Sequence, residues 1–130
     1  MWAAGWAGDI AWFQLGDHHT RPTAAGGHRV VGTYALHLSC GWCWTSRSGY
    51  TFADADSDAA ALEALSIPMR SVHSIELADP LGLVIRFENE DALVVDADAA
   101  SSDEQWRVIQ PGLRVPHLVA AAGGVGWHEA

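Results

Sequence analysis

The stretch Tyr34-Ala35-Leu36-His37-Leu38-Ser39-Cys40-Gly41-Trp42-Cys43-Trp44 decides the fold. Its even positions (Tyr34, Leu36, Leu38, Cys40, Trp42, Trp44) are large or apolar, while its odd positions are small or polar. Successive side chains of extended backbone point to opposite faces, so a period of two predicts a strand with one buried face; a helix would scatter these six residues around its axis. The alternation returns at Leu81, Leu83, Ile85 and Phe87, then after the polar break Glu88 to Asp91 at Leu93 and Val95. That pattern predicts a hairpin with a loop of about four residues. Val72 to Leu77 and Gln105 to Ile109 supply further strands, with Ile10 to Leu15 and His117 to Ala121 as weaker candidates. Asp58 to Leu65 alone reads as helix: a Ser57 or Asp58 cap, an Ala-rich body, an exposed Glu63 and a stop before Pro68.

These elements predict an α+β, mainly β fold, an antiparallel sandwich or partly open barrel of six to eight strands with one short helix. The 130 residues, 49% hydrophobic and 18% charged, fit a single domain over 1–130. Its ends, 1–8 and 123–130, read as ragged and flexible, yet carry Trp2, Trp6 and Trp127, which are costly to leave in water and are expected to dock on the body or on a second subunit. A homodimer glued by these ends is one expectation. No apolar run approaches the ~18 residues of a membrane helix, and the N-terminus has neither a basic flank nor a continuous apolar stretch. A soluble cytoplasmic protein is expected, without membrane contact.

The formal charge of −9 is unevenly spread. Residues 54–104 carry thirteen acids against Arg70 and Arg86, a net −11, whereas the segments before and after are each +1. Such a field repels nucleic acid and anionic lipid and attracts a basic protein. Charge runs also simply keep turns and helix faces solvated. The chain holds no lysine, which excludes Schiff-base and phosphate-loop lysine chemistry.

Cys40-Gly41-Trp42-Cys43 has the spacing of a redox pair but lies inside a strand pattern. The odd offset points the thiols to opposite faces and three extended residues span roughly 10 Å, beyond disulfide reach, so two reduced structural cysteines are expected. A metal site would need His37 and further ligands, and none is expected. His18 and His19, near His28, are neighbours facing opposite ways and read as a solvated loop. Asp54, Asp56 and Asp58 imitate the opening of a calcium loop, but Ala59 and Leu65 stand where its glycine and closing glutamate belong. Nucleophile elbow, phosphate loop and dinucleotide fingerprint are all missing, so neither catalytic residues nor a cofactor is expected.

Three stretches, Trp12 to Gly16, Gly32 to Trp42, and Gln105 to Gly112 with Pro116 to Val119, resemble a family of small uncharacterised actinobacterial proteins. The resemblance implies one domain and no particular reaction. It also implies that the family keeps Cys40 and Trp42 but has arginine where Cys43 stands, making the CxxC spacing a local accident.

Two functional expectations follow. The first is a non-catalytic protein-binding module, like an immunity or antitoxin-type inhibitor, whose acidic surface (Glu88, Glu90, Asp91, Asp96, Asp98) engages a basic partner. The alternative is a small-molecule-binding or enzymatic barrel with an aromatic pocket lined by Tyr34, Trp42, Trp44 and Trp106, with His37 or Arg107 as its polar group.

Overall fold

The computed structural model describes residues 1–65 and 69–129. Along the chain run β1 (Ala3–Ala7), β2 (Ile10–Leu15), β3 (His19–Pro22), β4 (His28–Val31), β5 (Tyr34–Leu38), β6 (Gly41–Thr45), β7 (Thr51–Asp54), α1 (Ala59–Leu65), β8 (Val72–Ala78), β9 (Gly82–Phe87), β10 (Ala92–Asp96), β11 (Trp106–Ile109), β12 (His117–Ala121) and β13 (Gly124–His128). All pairings are antiparallel. A six-stranded sheet, β1-β2-β5-β11-β12-β13, packs on a five-stranded sheet, β7-β6-β10-β9-β8, and β3-β4 forms a separate hairpin. The result is a mainly β sandwich with one short helix, and it is not a closed barrel.

Alternation builds the core. Phe13, Leu15, Leu36, Leu38 and Trp106 project inward from the six-stranded sheet, and Trp42, Trp44, Leu83, Ile85, Phe87, Leu93 and Val95 from the other; all are buried. Each large apolar side chain so buried contributes about 1.5–3 kcal/mol. Trp44 stacks on Phe87 (centroids 4.5 Å apart), while Phe13 meets Trp42 edge-on at 5.3 Å. The Trp106 indole N–H donates to the Leu81 carbonyl (2.7 Å), tying β11 to the start of β9 across the sandwich. Asp58 caps α1, its carboxylate accepting from the Ala61 N–H at 2.9 Å, and Leu62 and Leu65 bury the helix against the core beside β1 and β7. Pro68, expected to end this helix, lies outside the described residues.

The stretch read as one strand from Tyr34 to Trp44 is in fact two, β5 in one sheet and β6 in the other. The chain changes sheets at Ser39 and Cys40, where the Ser39 N–H donates to the Gln105 carbonyl (2.9 Å). The alternation survives because both sheets face one core: Leu36, Leu38, Trp42 and Trp44 all point into it. Thirteen strands stand among the described residues, against the six to eight expected. The additional ones include β1 and β13, which form paired strands where ragged ends were expected, and β3-β4, which incorporates His19 into a hairpin where a solvated loop was expected. No described helix is long and apolar enough to cross a membrane.

Candidate functional site

The sandwich is closed on one side and open on the other. α1 packs beside the edge strands β1 and β7. At the opposite side, β8 and β13 are the last strands of their sheets, and an apolar cleft of about 520 Å³ opens between them. Leu36, Val108, Leu118, Trp106 and Trp127 line it from the six-stranded sheet, and Val72, Ile75, Leu77, Leu83 and Ile85 from the other. None of its lining residues is charged; Tyr34 and Gln110 supply polar groups.

Register explains why these side chains face the cleft. Ile75 stands opposite Ile85 and Leu77 opposite Leu83, both buried core residues, so β8 turns the same face inward. In the same way Trp127 stands opposite Leu118 on β12, and Tyr34 opposite the buried Leu15 on β2. Yet the outermost of them remain in water: Ile75 is 57% exposed, Leu77 60%, Trp127 72% and Tyr34 45%. Apolar residues contiguous on one face and this exposed make the cleft a candidate interaction surface.

Of the expected pocket, Tyr34 and Trp106 do line this cleft. Trp42 and Trp44 do not: they fill the core around Phe13 and Phe87. His37 and Arg107 are also misplaced, because each sits one residue from an inward-facing neighbour and so points from the outer face. They are cross-strand partners there, with His37 also opposite Trp12. The Arg107 guanidinium donates to the Glu104 carboxylate (2.6 Å) and to His117 Nδ1 (2.7 Å). Burial, and then the Arg107 charge, holds the His37 pKa below its usual value.

The expected acidic surface is divided. Asp91 is no surface group: its Oδ2 accepts from Arg70 Nε (2.8 Å), Asn89 Nδ2 (3.2 Å) and Trp44 Nε1 (3.3 Å), and the Arg70–Asp91 pair is only 9% exposed at either side chain. Arg70 also lies over the Trp44 ring at 5.4 Å. A carboxylate in an apolar core persists only with such partners. Glu88 and Glu90 are exposed in the β9–β10 turn, with Glu90 paired to Arg47 (2.8 Å) and Glu88 3.6 Å from His73. Asp96 and Asp98 are exposed at the other end of β10, where Asp98 accepts from the Ala100 N–H (2.9 Å).

Cys40 packs against the core and Cys43 sits among the alternate, outward residues of β6; both are free thiols. Burial first, and then Asp96, pushes the Cys40 thiol up to about 11; burial and Asp54 raise Cys43. Neither is poised as a nucleophile. Among the described residues, no group of three or more His, Cys, Asp or Glu could hold a metal ion. No family model, curated protein or solved structure matches the chain.

Sequence reasoning placed β8 and singled out Trp127 but did not join them. What marks the cleft is that β8 carries Ile75 and Leu77 on one face while lying at a sheet edge, and edge position is a property of the topology.

Proposed function

We propose that the protein is a non-catalytic binding module for a basic protein partner, and that it takes an apolar segment of that partner into the cleft between β8 and β13. The observation that carries this is the exposure of Ile75, Leu77 and Trp127 on facing walls of one uncharged cleft. A site for a small molecule encloses most of its ligand's surface. Walls more than half exposed suit a partner that brings its own cover. The formal charge of −9 supports a basic partner, drawn in by the long-range field and held by apolar contact. An inhibitor of the immunity or antitoxin type fits this chemistry. Membership of the actinobacterial family that the three stretches resemble belongs to the same proposal.

The test is an amide-shift titration of the labelled protein with short apolar peptides ending in arginine. Shifts concentrated on β8, β12 and β13, and binding weakened by Leu77→Asp and by Trp127→Ser, are the expected result. Shifts confined to the Glu88–Glu90 turn or to the Arg107 face would reject the cleft.

A further inference from the structure

Building on that docking site, we infer that the partner enters as an extended β-strand, hydrogen-bonding along the free edge of β8 and dropping alternate apolar side chains into the cleft. Three observations converge on this mode.

The first is the edge itself. β8 has β9 on one side and, among the described residues, no strand on the other. Proteins usually blunt such an edge with proline, lysine, an inward charge or a bulge, because its unpaired N–H and C=O groups template another strand. β8 runs for seven residues without proline, glycine or lysine. Its register shift is confined to its start, between Val72 and Ser74, and Glu76 stands opposite Val84, on the face away from the cleft. The edge strand across the cleft, β13, is five residues long with Gly124 and Gly126 in it, and glycine weakens a strand as a template.

The second is the spacing. An added strand lies ~4.8 Å beyond β8 and its side chains alternate between faces, while packed sheets stand ~10 Å apart. Inward side chains of the newcomer therefore fall in line with the exposed Ile75 and Leu77, and over the exposed Trp127 and the half-buried Leu118 on the facing wall. Backbone pairing would supply affinity, and alternate apolar side chains the selectivity.

The third is charge. Glu76 on β8 and Asp79 just after it are exposed, on a chain of formal charge −9. The strand that fits is apolar at alternate positions with arginine or lysine at its ends.

The probe is a fluorescent peptide of alternating valine and threonine with arginines at each end, read by anisotropy, together with amide hydrogen exchange of the protein. Expected are binding that weakens about tenfold or more in Leu77→Asp and falls with added salt, and slowed exchange at β8 amides on binding. Peptides N-methylated at one alternate set of amides should lose binding while the other set retains it, because only one set faces β8. Leu77 and Trp127 are surface-exposed, so Leu77→Asp and Trp127→Ser should fold, and circular dichroism checks that. Peptide binding in the cleft without β8 protection, and with both methylated sets equal, overturns strand addition while leaving the docking site. Failure of every peptide, with uptake of an uncharged dye such as Nile red that Trp127→Ser abolishes, overturns both in favour of a small apolar ligand. Self-association of the free protein with β8 amides already protected overturns the inference in favour of a second copy of this chain.

Discussion

Replacing Asp91 by alanine tests whether this acid is structural. The substitution removes the acceptor of Arg70 Nε, Asn89 Nδ2 and Trp44 Nε1 and takes the Asp91 carboxylate from beside the Arg70 guanidinium, which is 9% exposed and still donates to the Leu65 carbonyl. Breaking one half of a buried ion pair costs about 3–5 kcal/mol, because the remaining charge cannot regain its hydration. Domains of this kind are stable by about 5–15 kcal/mol, so Asp91→Ala should consume a large share. At 130 residues, 1 kcal/mol corresponds to roughly 4 °C, and the expected fall in Tm is about 10–20 °C. Asp91→Asn, which keeps the shape and loses the charge-assisted bond, should cost about 1.5–3 kcal/mol. Urea unfolding followed by tryptophan fluorescence reads both, with an unchanged m-value confirming that stability alone has moved. The decisive comparison is Arg70→Met with Asp91→Leu, which removes both charges and should be more stable than Asp91→Ala alone. A loss below about 1 kcal/mol in Asp91→Ala, or a double variant worse than the sum of its parts, would refute the account of a desolvated pair.

Two further perturbations probe the faces that the cleft does not use. His37 is held below its usual 6.5 by burial and by Arg107, so between its folded and unfolded values the unfolded chain binds more protons. Its contribution is complete above about 6.5 and is lost as pH falls through the lowered folded value. His37→Gln should therefore flatten the acid limb of a plot of urea midpoint against pH relative to wild type; superimposable limbs would exclude the effect. Cys40, pushed up to about 11, should carry ~100-fold less thiolate at pH 8 than an ordinary cysteine. Iodoacetamide should accordingly modify the folded protein slowly and the urea-unfolded protein fast, as read by mass spectrometry, and rapid modification of native Cys40 would contradict the packing described.

What the sequence could disclose was set by parity. A period of two reports which residues share a face, so Leu83, Ile85, Phe87, Leu93 and Val95 were legible as one wall, whereas Cys40 lies at the crossing before β6, where strand parity no longer applies to the Cys40–Cys43 spacing. It is blind to which sheet a strand joins. Leu38 and Trp42 are separated by an even number, and the crossing between them leaves no trace in the pattern. Short strands of small or polar residues, such as β1 with its alanines and β3 with His19 and Arg21, owe their pairing to neighbours rather than to their own alternation. The pairing of His37 and Arg107 with Tyr34 and Trp106 in one pocket is a different kind of error, one that parity itself rules out. Their odd separation from those aromatics within β5 and β11 already contradicted a shared pocket.

The two ends of the sandwich then differ in kind. On the β1–β7 side, a capped helix supplies Leu62 and Leu65, and the inter-sheet gap is filled from within the chain. On the β8–β13 side the inward faces continue outward through Ile75, Leu77 and Trp127 without a covering element among the described residues. Leaving a Leu or Ile side chain in water forgoes about 1.5–3 kcal/mol, and a free edge beside it invites aggregation. An acidic chain offsets the second cost, since like-charged copies repel. That repulsion disfavours pairing with another copy and favours a partner of opposite sign. Under the docking mode proposed above, the net charge and the apolar cleft, which the sequence presents as separate features, would be two halves of one device: charge would choose who approaches, and the open edge how it is held.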